Sequence, residues 1–433
     1  MNELEQENEK QPEAVKELTR EEMEKQAQDR ESKSFWKGIT LGLAFSLVIV
    51  LMAFGTVKIY QKLFIGNTLN ISGDDSSVVN STSIEKVQVL EDTISRYFWQ
   101  DVETKDLEDG VYRGLIEALD DPYSVYYTHE ELLALQEDTE GIYYGIGAYI
   151  GQDKETGYVV ISKVIPNTPA EESGLHAGDY IYMVNGEDMQ GQENSYVVSK
   201  IKGEEGTTVE ITVIRDGETE PITFTVERRK IESPTVTYEM YDNGIAYIQI
   251  SEFDLVTTEQ FAKAYKQAQN EGMEALIIDL RSNLGGNLST VCDIARMILP
   301  KGLIVYTEDK YGKRVEYTCD GSNEIKVPLV VLTDGYSASA SEILAGAVKD
   351  YGIGTLVGTT TFGKGIVQKV INLSDGSAVK LTVSNYFTPN GNNIHKIGID
   401  PDVEIKFDAE QYNTDGTDNQ LEKAKEILLE ELN

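Results

Sequence analysis

Twenty consecutive residues, Gly38 to Val57, carry no charge, in a 433-residue chain with 74 acidic and 38 basic side chains. That length fits one helical crossing of a hydrocarbon core about 30 Å thick. Trp36 and Tyr60 stand near its ends, where amphipathic aromatic rings favour the interface. A cleaved signal peptide fits less well, because a long, highly charged tail precedes the run and no clear small-x-small cleavage site follows it. Arg20, Lys25, Arg30, Lys33 and Lys37 lie before the run, whereas only Lys58 and Lys62 lie as close after it. This basic asymmetry places the N-terminus in the cytoplasm and everything after Tyr60 outside, on a single-pass cell-membrane anchor.

Composition narrows what the outer part does. At 40% hydrophobic and 9% aromatic residues the whole chain reads as folded, and its net charge of −36 argues against a nucleic-acid partner. Two cysteines, Cys292 and Cys319, cannot build a disulfide scaffold. With only His129, His176 and His395, a His-rich metal site is not expected, and a general base is sought among other residue types. No metal and no cofactor are expected.

Residues 61–82 form a Ser/Asn/Asp/Gly-rich linker. From Ser83 to about Gln136 the apolar residues space helically, with Val87, Leu90, Ile94 and Tyr97 on one stripe and Val111, Leu115, Ile116 and Leu119 on another. Both stripes read as core or dimer surface. From Gly141 to Lys230 the pattern is β-like, with strands expected at 158–164, 208–214 and 222–226 and a turn at Asp216-Gly217. Strands then alternate with helices. Strands are expected at 244–250, 275–280 and 329–332, and helices at 258–272, 291–299 and 342–351, the order of an α/β core with some parallel pairing. A short charged helix closes the chain at 421–432.

Three segments rich in small residues carry the chemistry: 279–287 (DLRSNLGGN), 337–342 (SASASE) and 361–368 (TFGKGIVQ). The first two follow buried strands, where ligands bind in open α/β sheets. Ser337, Ser339 and Ser341 stand just before a helix, whose N-terminal N–H groups suit developing negative charge. One of the three is expected to cap the helix, and the pattern alone does not choose the nucleophile. Gly285 and Gly286 allow backbone N–H groups to face an oxyanion, although taken alone the pair reads as a tight turn. Gly363 and Gly365 flank Lys364, so backbone approaches closely and the lysine amine dominates. The stretch from Gly358 to Lys364 matches G-x-x-x-x-G-K. However, Gly365 stands where a P-loop needs Ser or Thr, and a strand-like segment follows instead of a helix. His395, in a glycine-flanked loop, reads as a bystander.

In combination these segments resemble the C-terminal processing, or tail-specific, proteases, a serine protease family with a Ser-Lys dyad. The match runs from about Val87 to Phe407. It includes Leu119-Asp-Asp-Pro-Tyr-Ser-Val-Tyr, Gly145-Ile-Gly-Ala, Pro169-Ala-Glu-Glu-Ser-Gly-Leu-His-Ala-Gly-Asp and Met183-Val-Asn-Gly, besides the serine and lysine segments. The resemblance implies Ser339 as nucleophile, Lys364 as base and Gln368 as the residue that orients the lysine. It implies Gly285, Gly286 and the N–H of Ala340 as the oxyanion region. It also implies that the β region is a PDZ domain whose Gly145, Ile146, Gly147 and Ala148 bind a substrate C-terminus.

The implied fold is an α/β protease core with an inserted β-rich PDZ domain, an N-terminal helical segment and one transmembrane helix. Its parts are residues 1–37 (cytoplasmic tail), 38–60 (transmembrane helix), 61–82 (linker), 83–136 (helical region), 137–230 (PDZ domain), 231–408 (protease core) and 409–433 (acidic helix). The implied activity is membrane-anchored serine endopeptidase action on proteins or peptides with free C-termini, with a homodimer suggested by the family. The rival reading is a non-catalytic, membrane-tethered PDZ scaffold, which needs no Ser339, Lys364 and Gln368 together. Burial, with Phe362 and Ile366 close in sequence, is expected to lower Lys364 toward a working base.

Overall fold

The computed structural model describes residues 77–154 and 156–433. The uncharged run at 38–57 and most of the linker lie outside them. Among the described residues no helix is long and apolar enough to cross a membrane. The chain divides after Val102 into two compact units. In the first, the helix Ser81–Tyr97 starts at Asn80, whose side chain accepts the Ser83 N–H. None of its residues is buried, so the Val87, Leu90 and Tyr97 stripe lies exposed in this chain.

The second unit is built on a six-stranded sheet. Its order is Val236–Met240, Ile245–Ile250, Ala275–Asp279, Leu329–Thr333, Thr355–Gly358 and Val403–Glu404. The first pair is antiparallel and every later pair is parallel. Both faces are covered, so the central strands read as unbroken apolar runs. Ile248, Ile278 and Val331 pack on one side beneath the helices Thr257–Asn270, Leu288–Ala295 and Ala340–Tyr351. Ile245, Ile277 and Val330 face the other side, with Ala424 and Leu428 of the terminal helix Asn419–Leu432. Arg281 fastens that helix to the carboxyl edge of the sheet through Asp279 at 2.6 Å and Asp418 at 2.8 Å.

An antiparallel five-stranded sheet lies in the same unit. The order Val125–Tyr127, Ala378–Phe387, Gly302–Asp309, Arg314–Cys319 is joined by Ile366–Asn372, which pairs with Ala378–Phe387. The stretch read as continuously helical up to Gln136 is therefore interrupted. Helices Thr104–Glu117 and His129–Glu140 flank a strand at Val125–Tyr127, whose aromatic and β-branched residues pair with Ala378–Lys380. The helix expected at 291–299 runs instead from Leu288 to Ala295, directly after Asn287.

The β-rich insert orders its strands Ala148–Gln152, Val159–Val164, Tyr180–Val184, Thr208–Ile214, Ile222–Glu227, so that Ala148–Gln152 is an edge. Its core gathers Ile161, Ile181, Val209 and Ile211, all essentially inaccessible. Asp179, fully buried, is paired by Arg215 at 2.6 Å and 2.8 Å. Residues Ile142–Gly145 and Arg229–Glu232 pair with each other where the chain enters and leaves the insert.

Candidate active site

Loops leaving the carboxyl ends of three adjacent parallel strands supply the site: 280–287 after Asp279, 334–339 after Thr333 and 359–365 after Gly358. This is the edge of an open α/β sheet at which ligands bind.

The structure separates the three serines. Ser337 is buried, and its hydroxyl donates to the Leu280 carbonyl at 2.8 Å. Ser341 is also buried and donates to the Asn283 carbonyl at 2.9 Å. Both hydroxyls tie the serine turn to the neighbouring strand loop. The Ser339 hydroxyl donates to no group among the described residues. It lines a cavity of about 510 Å³ together with Lys364, Gln368, Gly286 and Ala340. Ser339 is also the N-cap of the helix Ala340–Tyr351, so the capping role and the candidate nucleophile fall on one residue. Its backbone sits at φ 55°, ψ −111°, a conformation that costs a non-glycine residue energy and persists only where the surroundings enforce it.

Glu342 is the enforcing group. It is completely buried, and its carboxylate accepts four hydrogen bonds. One oxygen takes the Thr361 hydroxyl at 2.6 Å and the Gly363 N–H at 2.7 Å. The other takes the Lys364 N–H at 2.8 Å and the Ser339 N–H at 2.9 Å. A buried carboxylate is tolerable when its lone pairs are filled in this way. The Tyr386 hydroxyl donates to the Ser339 carbonyl at 3.1 Å. Its ionisation is pushed far up by burial and by the Glu342 charge, so it stays a neutral donor.

The glycines beside Lys364 permit the close approach expected of them. A methyl group on Gly365 would lie 2.6 Å from the His395 nitrogen, and one on Gly363 would lie 2.9 Å from that of Gly398. His395 thus packs its backbone on the lysine loop, and its ring bonds to neither Ser339 nor Lys364. The Lys364 ammonium makes no hydrogen bond among the described residues and lies 4.6 Å from the centre of the Tyr123 ring. Burial holds Lys364 below the usual lysine range. The Lys380 charge adds to this, while Asp121 and Glu342 oppose it. Of the two neighbours expected to bury it, Ile366 is buried but Phe362 is 52% exposed. The aromatic partner is Tyr123 instead, from the segment 119–126.

Gln368 lines the same cavity, but its amide donates to the Thr382 hydroxyl at 3.2 Å and not to Lys364. Ser339, Lys364 and Gln368 are therefore gathered on one cavity without a hydrogen bond joining any two of their side chains.

The two glycines of the first segment differ. The Gly285 N–H donates to the Asn283 side chain at 2.8 Å, and its Cα packs against Ser339. The Gly286 N–H donates to nothing among the described residues, and Gly286 lines the cavity. The Ala340 N–H is likewise uncommitted. Asn283 is fully buried and bridges Gly285 to the Ile250 carbonyl, which fixes the glycine turn.

A second cavity, about 460 Å³, opens at Gly145, Ile146, Gly147 and Ala148 and runs between the edge strand Ala148–Gln152 and the helix Asn194–Ile201. The N–H groups of Ile146 and Gly147 donate to nothing among the described residues. Gly147 has φ 86°, and a methyl group there would meet the Thr168 side chain at 2.3 Å. The Thr168 hydroxyl lies 2.6 Å from the Ile165 carbonyl and 3.1 Å from that of Gly147, sharing its proton between them. Unpaired N–H groups at the start of an exposed strand edge suit a peptide carboxylate and an added strand. Cys292 and Cys319 are both free and buried, and burial pushes the Cys292 thiol up to about 12, so it is no nucleophile.

Sequence reasoning did not assign roles to Glu342, Asn283, Tyr123 or Tyr386. The Ser339-x-x-Glu342 spacing is a capping-box signal and was the one readable pointer to Glu342. The others act across long sequence separations.

Residues 244–405 match peptidase family S41, residues 145–226 match a PDZ domain, and residues 50–131 match the activating protease CtpB N-terminal domain. The carboxy-terminal processing protease CtpB of Bacillus subtilis is 34% identical over 368 residues, covering 82% of this chain and 76% of that protein. The carboxyl-terminal-processing protease of Synechocystis is 32% identical over 393 residues, covering 87% of this chain and 88% of that protein. Among solved structures, a photosystem II D1 C-terminal processing protease is 32% identical, covers 74% of this chain and 86% of that one, and has a TM-score of 0.44.

Proposed function

The chain belongs to the carboxyl-terminal processing proteases of peptidase family S41, serine proteases that here carry a PDZ domain, and from that premise we propose how its own residues divide the work. Ser339 is the nucleophile. Lys364, neutral when active, takes the hydroxyl proton as Ser339 attacks the peptide carbonyl and returns it to the leaving amine. The Gly286 and Ala340 N–H groups receive the tetrahedral oxyanion, while Gly285 holds the turn. Gln368 orients Lys364 once substrate tightens the site. One observation carries the assignment: of three serines in one turn, Ser339 alone has a hydroxyl that donates to no group among the described residues, and it shares its cavity with Lys364.

The PDZ domain binds the substrate C-terminus at Gly145–Ala148, so cleavage falls near the end of the polypeptide. The run Gly38–Val57 anchors the enzyme in the cell membrane with its protease part outside, and the enzyme works as a homodimer.

The test uses full-length enzyme in vesicles and an unfolded polypeptide with an apolar C-terminus. Ser339→Ala and Lys364→Ala are each expected to lose at least roughly a thousandfold in kcat/KM. Wild-type rates in both variants remove the dyad. Amidating the substrate C-terminus is expected to raise KM, and an unchanged KM removes the carboxylate site. Labelling of Ser339 by a serine-reactive phosphonate separates this enzyme from a non-catalytic scaffold.

A further inference from the structure

The helix His129–Glu140 and the loop after Ile250 bring three acids together between the two cavities. Asp138, Glu252 and Asp254 line the cavity that holds Ser339 and Lys364, and the same three line the cavity that starts at Gly145–Ala148. Asp254 is only 7% exposed, yet its carboxylate accepts no hydrogen bond and meets no cation among the described residues. Its backbone is firmly placed: the Asp254 carbonyl accepts the Thr257 N–H at 3.1 Å and the Thr290 hydroxyl at 3.2 Å. The next N–H, of Leu255, donates to the Thr139 carbonyl at 3.1 Å. Gly141 leaves room beside it, since a methyl group there would lie 3.1 Å from the Asp254 carboxylate oxygen.

The basic residues that line the two cavities have other neighbours. Lys202 pairs with Glu137 at 2.7 Å, Lys364 sits over Tyr123 and Lys380 over Tyr127. A buried carboxylate without a partner costs free energy that a cation arriving with substrate recovers through charge-assisted hydrogen bonds.

We propose that Asp254, with Asp138 and Glu252, forms a substrate subsite for a lysine or arginine side chain lying between the C-terminal residue held at Gly145–Ala148 and the bond presented to Ser339. The proposal rests on the dyad and carboxylate-loop reading above and adds a charge preference to it. An extended peptide that spans the two cavities must pass these acids, because they border both.

The experiment uses full-length enzyme and unfolded polypeptides that share one C-terminal sequence. A single lysine is moved residue by residue through the stretch between that end and the cleaved bond, with methionine at the same position as reference. At one register the lysine substrate is expected to exceed its methionine reference by about tenfold in kcat/KM, the scale of one charge-assisted contact. Asp254→Asn is expected to bring that ratio close to one, and Asp254→Lys to move the preference to a glutamate substrate. Asp138 is exposed, so Asp138→Asn gives the same readout at a position tolerant of change if the Asp254 variants fold poorly. Equal ratios at every register in the wild type overturn the subsite, as does a lysine preference that survives both Asp254→Asn and Asp138→Asn. Cleavage without a lysine preference sinks the subsite alone. No cleavage of any substrate by the wild type, or full cleavage by Ser339→Ala, sinks the underlying reading and the subsite with it.

Discussion

The backbone N–H groups of Ser339 and Lys364 converge on a single carboxylate oxygen of Glu342, at 2.9 and 2.8 Å. The two residues are 25 positions apart in sequence, and this oxygen sets the spacing of their main chains. Replacing Glu342 by Gln leaves one acceptor oxygen for four donors and turns an NH₂ group toward two of them. The expected cost is about 2–4 kcal/mol of folding stability, from buried donors left without a partner. A stability loss alone would fit a purely structural role. The pH dependence of kcat/KM separates the two roles. The Glu342 charge favours the Lys364 ammonium, so its removal is expected to move the rising limb of the profile to lower pH. A limb that stays in place denies Glu342 any electrostatic role in the base.

Lys364 acts as a base only when deprotonated, and its ionisation lies below the ordinary lysine value of 10.5, chiefly through burial. The rate is therefore expected to rise with pH along a single ionisation below that value. Lys380 adds a like charge that disfavours the ammonium, so Lys380→Met is expected to shift the limb to higher pH. Asp121 favours the ammonium, so Asp121→Asn is expected to shift it lower. Shifts in the same direction for both variants would contradict this balance of charges.

Gly147 holds φ 86° against the Thr168 side chain. Gly147→Ala places a methyl group where Thr168 already stands and is strained at that φ as well. KM for a polypeptide with a free C-terminus is expected to rise by about tenfold or more. The amidated substrate is expected to lose much less. Equal losses for the two substrates would mean that the loop does not read the carboxylate.

Asp254 gives a prediction about stability. Burial, with the charges of Glu252 and Asp138, pushes its carboxyl up to about 7 from the ordinary 3.8. The folded state therefore holds this proton more tightly than the unfolded chain does. Stability from this group is fully present below about pH 4 and is lost as pH rises toward 7. Asp254→Asn removes the loss, so the melting temperature of the variant relative to the wild type is expected to rise between about pH 4 and pH 7 and then to level off. A margin that shrinks over that range would show the carboxyl to be ionised without penalty.

Much of the core was readable because the local patterns are strong. Runs such as Leu329–Leu332 and Ala275–Ile278 are apolar on both faces, and a strand covered on both sides needs that. The glycines around Lys364 were correctly read as marks of close backbone approach, since a methyl group at Gly365 would strike the His395 nitrogen. The strand Val125–Tyr127 was not readable. It is three residues long, sits between helices, and exists because Ala378–Lys380 offers an edge far away in sequence.

Sequence alone determined which chemistry was present: a serine cluster, a glycine-flanked lysine, a glycine pair and a PDZ-like loop, in the order of a known protease family. Local composition and spacing carry that information, because they govern strands, turns and helix starts residue by residue. Tertiary structure alone decided which members were free to act. It gave the hydroxyls of Ser337 and Ser341 and the N–H of Gly285 buried acceptors, while the Ser339 hydroxyl and the Gly286 and Ala340 N–H groups donate to nothing among the described residues. It also set Tyr123 against Lys364, and Asp254 between two cavities. Hydrogen bonding saturates, so a group is available only when folding has given its neighbours other partners. That accounting closes only once distant segments meet.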